Sequence, residues 1–180
     1  RPLFILMFVS VMFGFPYFVL IPAWAKEVLG INADGLGYLL TSIGLGATVG
    51  TFGLAALGKS SKKGKILIFF GLLWGLSLAT FAQTNEYLIA LIFLFFIGLS
   101  SAAFMSLTMT LIQIKSATEF RGRTMSLAMM TFGLMPLSAV PFGSLAERIG
   151  TANSLSISGS LLFILTLLYF VINKKIRNIN

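Results

Sequence analysis

The sequence predicts an all-α polytopic membrane protein with six transmembrane helices, and three observations lead to this fold class. Of its 180 residues, 57% are hydrophobic and only 10% are charged, whereas a typical soluble domain carries about 25% charged residues. The charges form short clusters between long uncharged runs. Runs of 18 or more apolar residues are long enough to cross a hydrocarbon core of about 30 Å as helices.

The composition also removes several classes of function. The chain has no cysteine and no histidine, so disulfides, thiolate chemistry, imidazole bases and the usual zinc or haem ligands are excluded. We therefore expect no catalytic residue, no metal, no cofactor and no enzymatic activity. The net charge of +8 does not indicate a nucleic-acid partner, because the basic residues flank the hydrophobic runs and membrane topology explains them.

The six runs define one transmembrane domain over residues 1–180. The expected spans cover residues 3–24, 35–57, 66–82, 87–114, 124–146 and 154–172. The first contains Gly14 and Pro16, which predict a kink because proline removes a helical hydrogen bond. The second contains Gly46 and Gly50, a spacing that lets two helices approach closely.

The third and sixth spans are rich in Leu, Ile and Phe and poor in polar residues, so we expect them to face lipid. The fourth span is the most polar, and Ser106, Thr110 and Gln113 fall on one helical face. This face is either a cavity wall for a mostly apolar substrate or a set of interhelical hydrogen bonds worth about 0.6 kcal/mol per pair. In the fifth span, Gly133 and Pro136 mark a packing or hinge position.

The candidate cavity residues lie in the first, second, fourth and fifth spans. They are Tyr17, Thr41, Ser101, Met105, Ser106, Thr110, Gln113 and Met130. Methionine side chains are deformable and suit a surface that binds apolar molecules, although methionine at helical spacing also serves plain packing. No ionisable residue lies deep in any span, so we expect a proton carrier, if one is used, to lie outside this chain.

The distribution of lysine and arginine predicts the orientation. Eleven of the 13 basic residues fall in the N-terminus, the second and fourth loops and the C-terminal tail. The positive-inside rule then places both termini in the cytoplasm, and we expect a bacterial-type cytoplasmic (inner) membrane. The loop residues Lys62, Lys63, Glu119, Arg121 and Arg123 are candidates for gating contacts, or they follow the positive-inside rule alone.

Two spans show a weak internal repeat. Ser42-Ile-Gly44-Leu-Gly-Ala aligns with Thr131-Phe-Gly133-Leu-Met-Pro, and Gly53-Leu-Ala-Ala aligns with Gly143-Ser-Leu-Ala. Because the second and fifth spans run in opposite directions, the match predicts two inverted three-helix repeats, a common design of secondary transporters. Chance similarity between glycine-rich apolar segments is the alternative.

Three segments carry a resemblance to a known family: Glu119-Phe-Arg-Gly-Arg-Thr-Met-Ser126, Gly133-Leu-Met-Pro136-Leu and Gly143-Ser-Leu-Ala-Glu-Arg-Ile-Gly150. They resemble the C-terminal six-helix half of the major facilitator superfamily, in its enterobactin-exporter-like and macrolide-efflux-like branch. The chain departs from that branch at Ile114, Ala117 and Ser138, where an acid, a proline and a glycine are usual. It also lacks an aspartate in the loop at residues 59–65.

This resemblance implies alternating access around a central cavity that the first, second, fourth and fifth helices line. It further implies efflux of a hydrophobic or amphipathic small molecule, with proton antiport in the intact protein. The implied partners are the lipid bilayer, the substrate, and either a missing N-terminal half or a second copy. A lipid- or lysophospholipid-moving protein of this fold and a non-transporting scaffold bundle are the alternatives.

Overall fold

The computed structural model describes residues 2–56 and 63–173, and within these ranges every element is helical. The helices are α1 (Pro2–Gly14), α2 (Pro16–Val28), α3 (Ala33–Ala56), α4 (Lys63–Phe81), α5 (Tyr87–Lys115), α6 (Arg121–Gly133), α7 (Met135–Ile149) and α8 (Thr151–Ile172), with a 3-10 turn at Thr118–Phe120. Lys62, a loop candidate, lies outside the described residues. The predicted all-α polytopic fold class is confirmed.

These helices form six segments long and apolar enough to cross a membrane. They run over Leu3–Val28, Ala33–Ala56, Lys63–Phe81, Tyr87–Lys115, Thr118–Ile149 and Thr151–Ile172. The first and fifth are each interrupted. Phe15 separates α1 from α2, and Leu134 separates α6 from α7. Pro16 directly follows the first break and Pro136 lies two residues after Leu134, and each lacks the N–H that would continue the helix.

The spans pack in a defined order. The second span, α3, packs on α5, which also contacts α4, while α4 packs on α8 and α8 on the first span. If the last three spans repeat the first three, the contact between the second and fourth spans (α3 and α5) must have a counterpart between the fifth and first spans. That counterpart is present. This arrangement agrees with the two inverted three-helix repeats.

Glycines bring the backbones together at the two most extensive contacts. A Cβ atom added to Gly46 or Gly50 of α3 would collide with the backbone of α5, and one added to Gly98 of α5 would collide with α3. Likewise, a Cβ on Gly75 of α4 would lie 2.6 Å from the backbone nitrogen of Phe163 in α8. Close backbone approach through glycine is a general way of packing membrane helices.

This packing corrects one expectation. The third span, α4, is the most buried of the six, because 56% of its most apolar 18-residue stretch is buried. The prediction that it faces lipid is therefore wrong. Gly71 and Gly75 explain the difference, because they let α8 and the Phe104 ring of α5 cover α4. The least buried spans are α3 at 17% and the fifth span at 22%.

Charged residues gather at the two ends of the bundle. We call the end that carries Lys63, Lys65, Lys115, Arg121 and Arg123 the basic end, and the end that carries Glu27, Asp34, Glu86 and Glu147 the acidic end. Between the two ends, each span consists of apolar residues and uncharged polar residues.

Candidate functional site

The polar fourth span, α5, divides its candidate residues between two faces. Ser101 and Thr110 are nine residues apart, which is two and a half turns at 3.6 residues per turn. They therefore lie on opposite sides of the helix. The structure separates the expected cavity residues into an inner group around Ser101 and an outer group around Thr110.

The inner group lies in the buried contact between the first span and α5. The Tyr17 side chain is only 2% exposed, and its hydroxyl is hydrogen bonded to Ser101. The Ser101 hydroxyl in turn donates to the Gly98 carbonyl oxygen at 3.2 Å. Met105, one turn further along, is 9% exposed. These side chains are buried in the bundle interior.

The outer group lines a cleft of about 390 Å³ where α3 and α4 diverge over α5 at the basic end. We call it the lateral cleft. Its apolar lining is Leu54, Ala55, Ile66, Leu107 and Ile114, and its polar lining is Thr51, Lys63, Ser106 and Thr110. Two expected cavity residues and one loop candidate thus meet in one place.

Gln113 and Arg121 meet in a second cleft of about 350 Å³ at the same end, between α5 and α6. Ile114 lines both clefts. Arg123 is exposed two residues further along α6, and Glu119 is exposed in the 3-10 turn that joins the two helices. The structure therefore places four of the loop candidates close to the basic end of α5.

Thr41 and Met130 lie away from both clefts. Thr41 is exposed on α3, and its hydroxyl donates to the Gly37 carbonyl oxygen at 2.8 Å. Met130 is 69% exposed on α6. Both residues belong to the two least buried spans.

Large apolar side chains crowd the exposed faces of these two spans. Tyr38, Leu45 and Phe52 recur every seven residues on α3 and are 68%, 60% and 73% exposed, and we call them the α3 ridge. The fifth span carries an α6–α7 ridge of Leu127, Met130, Leu137 and Val140 with 57–69% exposure. The sequence predicted a role for Met130 but for none of the other ridge residues, and the seven-residue spacing on α3 was the one available signal.

The break in the first span is held by two other helices. The Phe13 carbonyl oxygen accepts a hydrogen bond from the Ser158 hydroxyl of α8 at 2.5 Å. Gly14 lies against the ring of Trp74 on α4, and Phe15 packs edge-on to the same ring at 5.2 Å. The break in the fifth span is more open, because Gly133 and Pro136 are exposed.

A contact at the acidic end joins the first and last spans. Glu27, near the end of α2, accepts hydrogen bonds from the backbone N–H of Thr151 at 3.3 Å and from the Thr151 hydroxyl. Thr151 is the first residue of α8 and is 2% exposed. Sequence reasoning missed this pair, because no local pattern links residues that far apart.

The match to known proteins decides the family. The sequence matches the transmembrane secretion effectors over residues 3–179. The chain belongs to this major facilitator family. This secretion-effector chain is also 24% identical over 177 residues to a staphyloferrin A transporter of Staphylococcus aureus. The alignment covers 98% of the chain and 44% of that transporter, so the chain spans less than half the length of its relative.

The family match confirms the resemblance to a major facilitator half that the loop and glycine segments carried. It also confirms a multi-pass membrane protein, since six segments can cross a bilayer. In this secretion-effector chain, α5 contacts both α3 and α1, and α1 in turn contacts α6. The helices of the first, second, fourth and fifth spans therefore form a continuous wall, with α4 and α8 packed behind it.

Proposed function

We propose that the chain is the C-terminal six-helix half of a transporter that exports a hydrophobic or amphipathic small molecule by alternating access. The observation that carries the proposal is the pair of exposed ridges on α3 and on α6–α7. They lie on two of the four spans of the wall, in a chain that matches 44% of a transporter. Two bundles rocking about a central site is the usual working principle of such a fold.

The two ridges support a second six-helix body as the partner. The ridges lie on the two least buried spans of the four-span wall, which is where a second body packed against that wall would cover apolar side chains. The N-terminal half of the same protein is the expected partner, with a second copy as the alternative. The lipid bilayer covers the remaining apolar surface.

The chemistry of the wall supports an apolar or amphipathic substrate. It combines Met130 and Met109 with few polar groups, of which Thr41 and Gln113 are exposed. Such surfaces fix a ligand mainly by apolar contact and orient it with a small number of polar groups. The relative's name adds staphyloferrin A to the compounds that are worth testing.

Proton antiport follows from the family resemblance, and the distribution of charge favours a proton carrier in the other half. Ionisable residues inside the membrane are the usual proton carriers of transporters, and the acids and bases of this chain lie near the helix ends. The basic end is proposed to face the cytoplasm of a bacterial-type inner membrane, because basic loops remain on that side.

Lipid movement is the second candidate function. The lateral cleft favours it, because the cleft combines an apolar wall with hydroxyls and the Lys63 ammonium group. A lipid-moving protein would draw its substrate sideways from the bilayer, whereas an exporter of soluble compounds would take it from the central cavity. A scaffold bundle would respond to neither kind of ligand.

Inside-out membrane vesicles that contain the full-length protein test the proposal. We expect them to accumulate at least one compound from a panel of siderophores, macrolides and lysophospholipids when a proton gradient is imposed, and the same compound should raise the Tm of the purified protein.

In the same vesicles, an impermeant maleimide should label Arg123→Cys but not Asn32→Cys. Intact cells should show the reverse. Absence of both uptake and stabilisation across the panel would count against a transporter.

A further inference from the structure

The lateral cleft opens on the outer side of α5. Ile92 and Phe96 lie 18 residues before Thr110 and Ile114, and because 18 residues make five full turns, these four residues share one face. Ile92 and Phe96 are 56% and 40% exposed, as is expected of a helix face in contact with lipid. The opposite face bears Ser101, which contacts Tyr17 inside the bundle. Because α4, which packs behind the four-span wall, also lines the cleft, the cleft opens on the rear side of that wall.

The cleft has the chemistry of an amphiphile site. Leu54, Ile66 and Leu107 form its apolar wall, and the half-buried Lys63 lies at the basic end. The hydroxyls of Thr51 and Thr110 already donate to carbonyl oxygens of their own helices, at 2.8 Å each. Ser106 supplies a further hydroxyl donor that lines the same space.

The charge of this region selects an anionic ligand. No aspartate or glutamate lines the cleft among the described residues. Lys63 is the first residue of α4, so its ammonium group and the positive end of the helix dipole act in the same direction. Basic pockets between membrane helices are sites where anionic lipid headgroups bind.

We propose that the lateral cleft binds an anionic phospholipid from the leaflet at the basic end. The phosphate lies against the Lys63 ammonium group, and the Ser106 hydroxyl donates to an ester oxygen. The first part of the acyl chain lies against Leu54, Ile66 and Leu107. The lipid lies between α3 and α4, two helices that make no extensive contact with each other, and it fixes the distance between their ends.

Purified full-length protein in a neutral detergent provides the test, with phosphatidylglycerol and phosphatidylcholine as probes. We expect phosphatidylglycerol to raise the Tm saturably and phosphatidylcholine to leave it unchanged. Lys63→Gln should weaken the apparent affinity for phosphatidylglycerol about tenfold, because it removes a direct charge-assisted contact with the phosphate. Lys65→Gln removes the same charge two residues away, outside the cleft lining, and should change the affinity less than twofold.

Filling the cleft is the second arm of the test. Ser106→Trp should abolish the lipid effect while the protein without lipid keeps its Tm, and Thr110→Trp, at a more exposed position, serves if the first variant does not fold. Equal losses in Lys63→Gln and Lys65→Gln would overturn the site, because general surface charge would then explain binding. Equal stabilisation by phosphatidylcholine or by soluble glycerol phosphate would overturn the anionic lipid as the occupant.

Discussion

Adding one methyl group at Gly50 should destabilise the protein far more than adding one at Gly53, three residues along the same helix. A Cβ on Gly50 would lie 2.9 Å from the Cα and carbonyl carbon of Leu99 and closer still to its carbonyl oxygen. Because the obstacle is backbone, no rotamer change relieves it, and α3 must move away from α5. Overpacking of this kind costs about 1–3 kcal/mol.

Gly53 is the matched control, since nothing lies within 4 Å of a Cβ built there. Alanine there should be neutral or stabilising by up to about 1 kcal/mol, because it restricts the unfolded chain. Thermal and denaturant unfolding of the full-length protein in detergent would compare Gly50→Ala, Gly46→Ala and Gly53→Ala. Equal stability of Gly50→Ala and Gly53→Ala would show that α3 and α5 do not pack as described.

Loss of the Glu27 carboxylate should loosen the acidic end of the bundle. Glu27→Ala removes the acceptor of the Thr151 N–H and hydroxyl, which are buried at the start of α8. Leaving buried donors unsatisfied costs about 1–3 kcal/mol, and a negative charge near a helix N-terminus is itself favourable. We expect a lower Tm and faster amide exchange in the first turn of α8.

Glu86→Ala is the control for charge, because Glu86 also lies at the acidic end and its side chain makes no capping bond. It should leave the Tm nearly unchanged, and Glu27→Gln, which retains an acceptor oxygen, should restore part of the loss. A double-mutant cycle with Thr151→Val isolates the pair, since coupled residues depart from additivity. Strict additivity of the two substitutions would mean that Glu27 and Thr151 do not interact.

Local sequence features predicted most of the fold. Span length and charge clusters are properties of the sequence itself, so they locate six helices without knowledge of their neighbours. The breaks at Phe15 and Leu134 follow from Pro16 and Pro136, whose missing N–H groups are equally local. The burial of α4 could not be read from its composition, because it depends on which helix Gly71 and Gly75 approach.

The candidate site was predicted less well, for a similar reason. Polarity identified Ser101 and Thr110, and their spacing puts them on opposite faces of α5. Which face packs against Tyr17 depends on tertiary contacts. The Glu27–Thr151 contact and the two ridges depend on tertiary packing. Exposed apolar residues in a membrane helix look alike in sequence whether lipid or protein covers them, so the ridges carry little signal of their own.

We propose that another six-helix body covers the α3 ridge in the full-length protein. Phe52 on that ridge and Ile92 on the outer side of α5 are 73% and 56% exposed in this chain. Each lies just over one turn inside the end of its helix, so they form a matched pair. Spin labels at Phe52→Cys and Ile92→Cys in the full-length protein in lipid would report the collision rate with dissolved oxygen. We predict a low rate at Phe52→Cys and a high, lipid-like rate at Ile92→Cys. Equally high rates at both positions would contradict a partner on the α3 ridge.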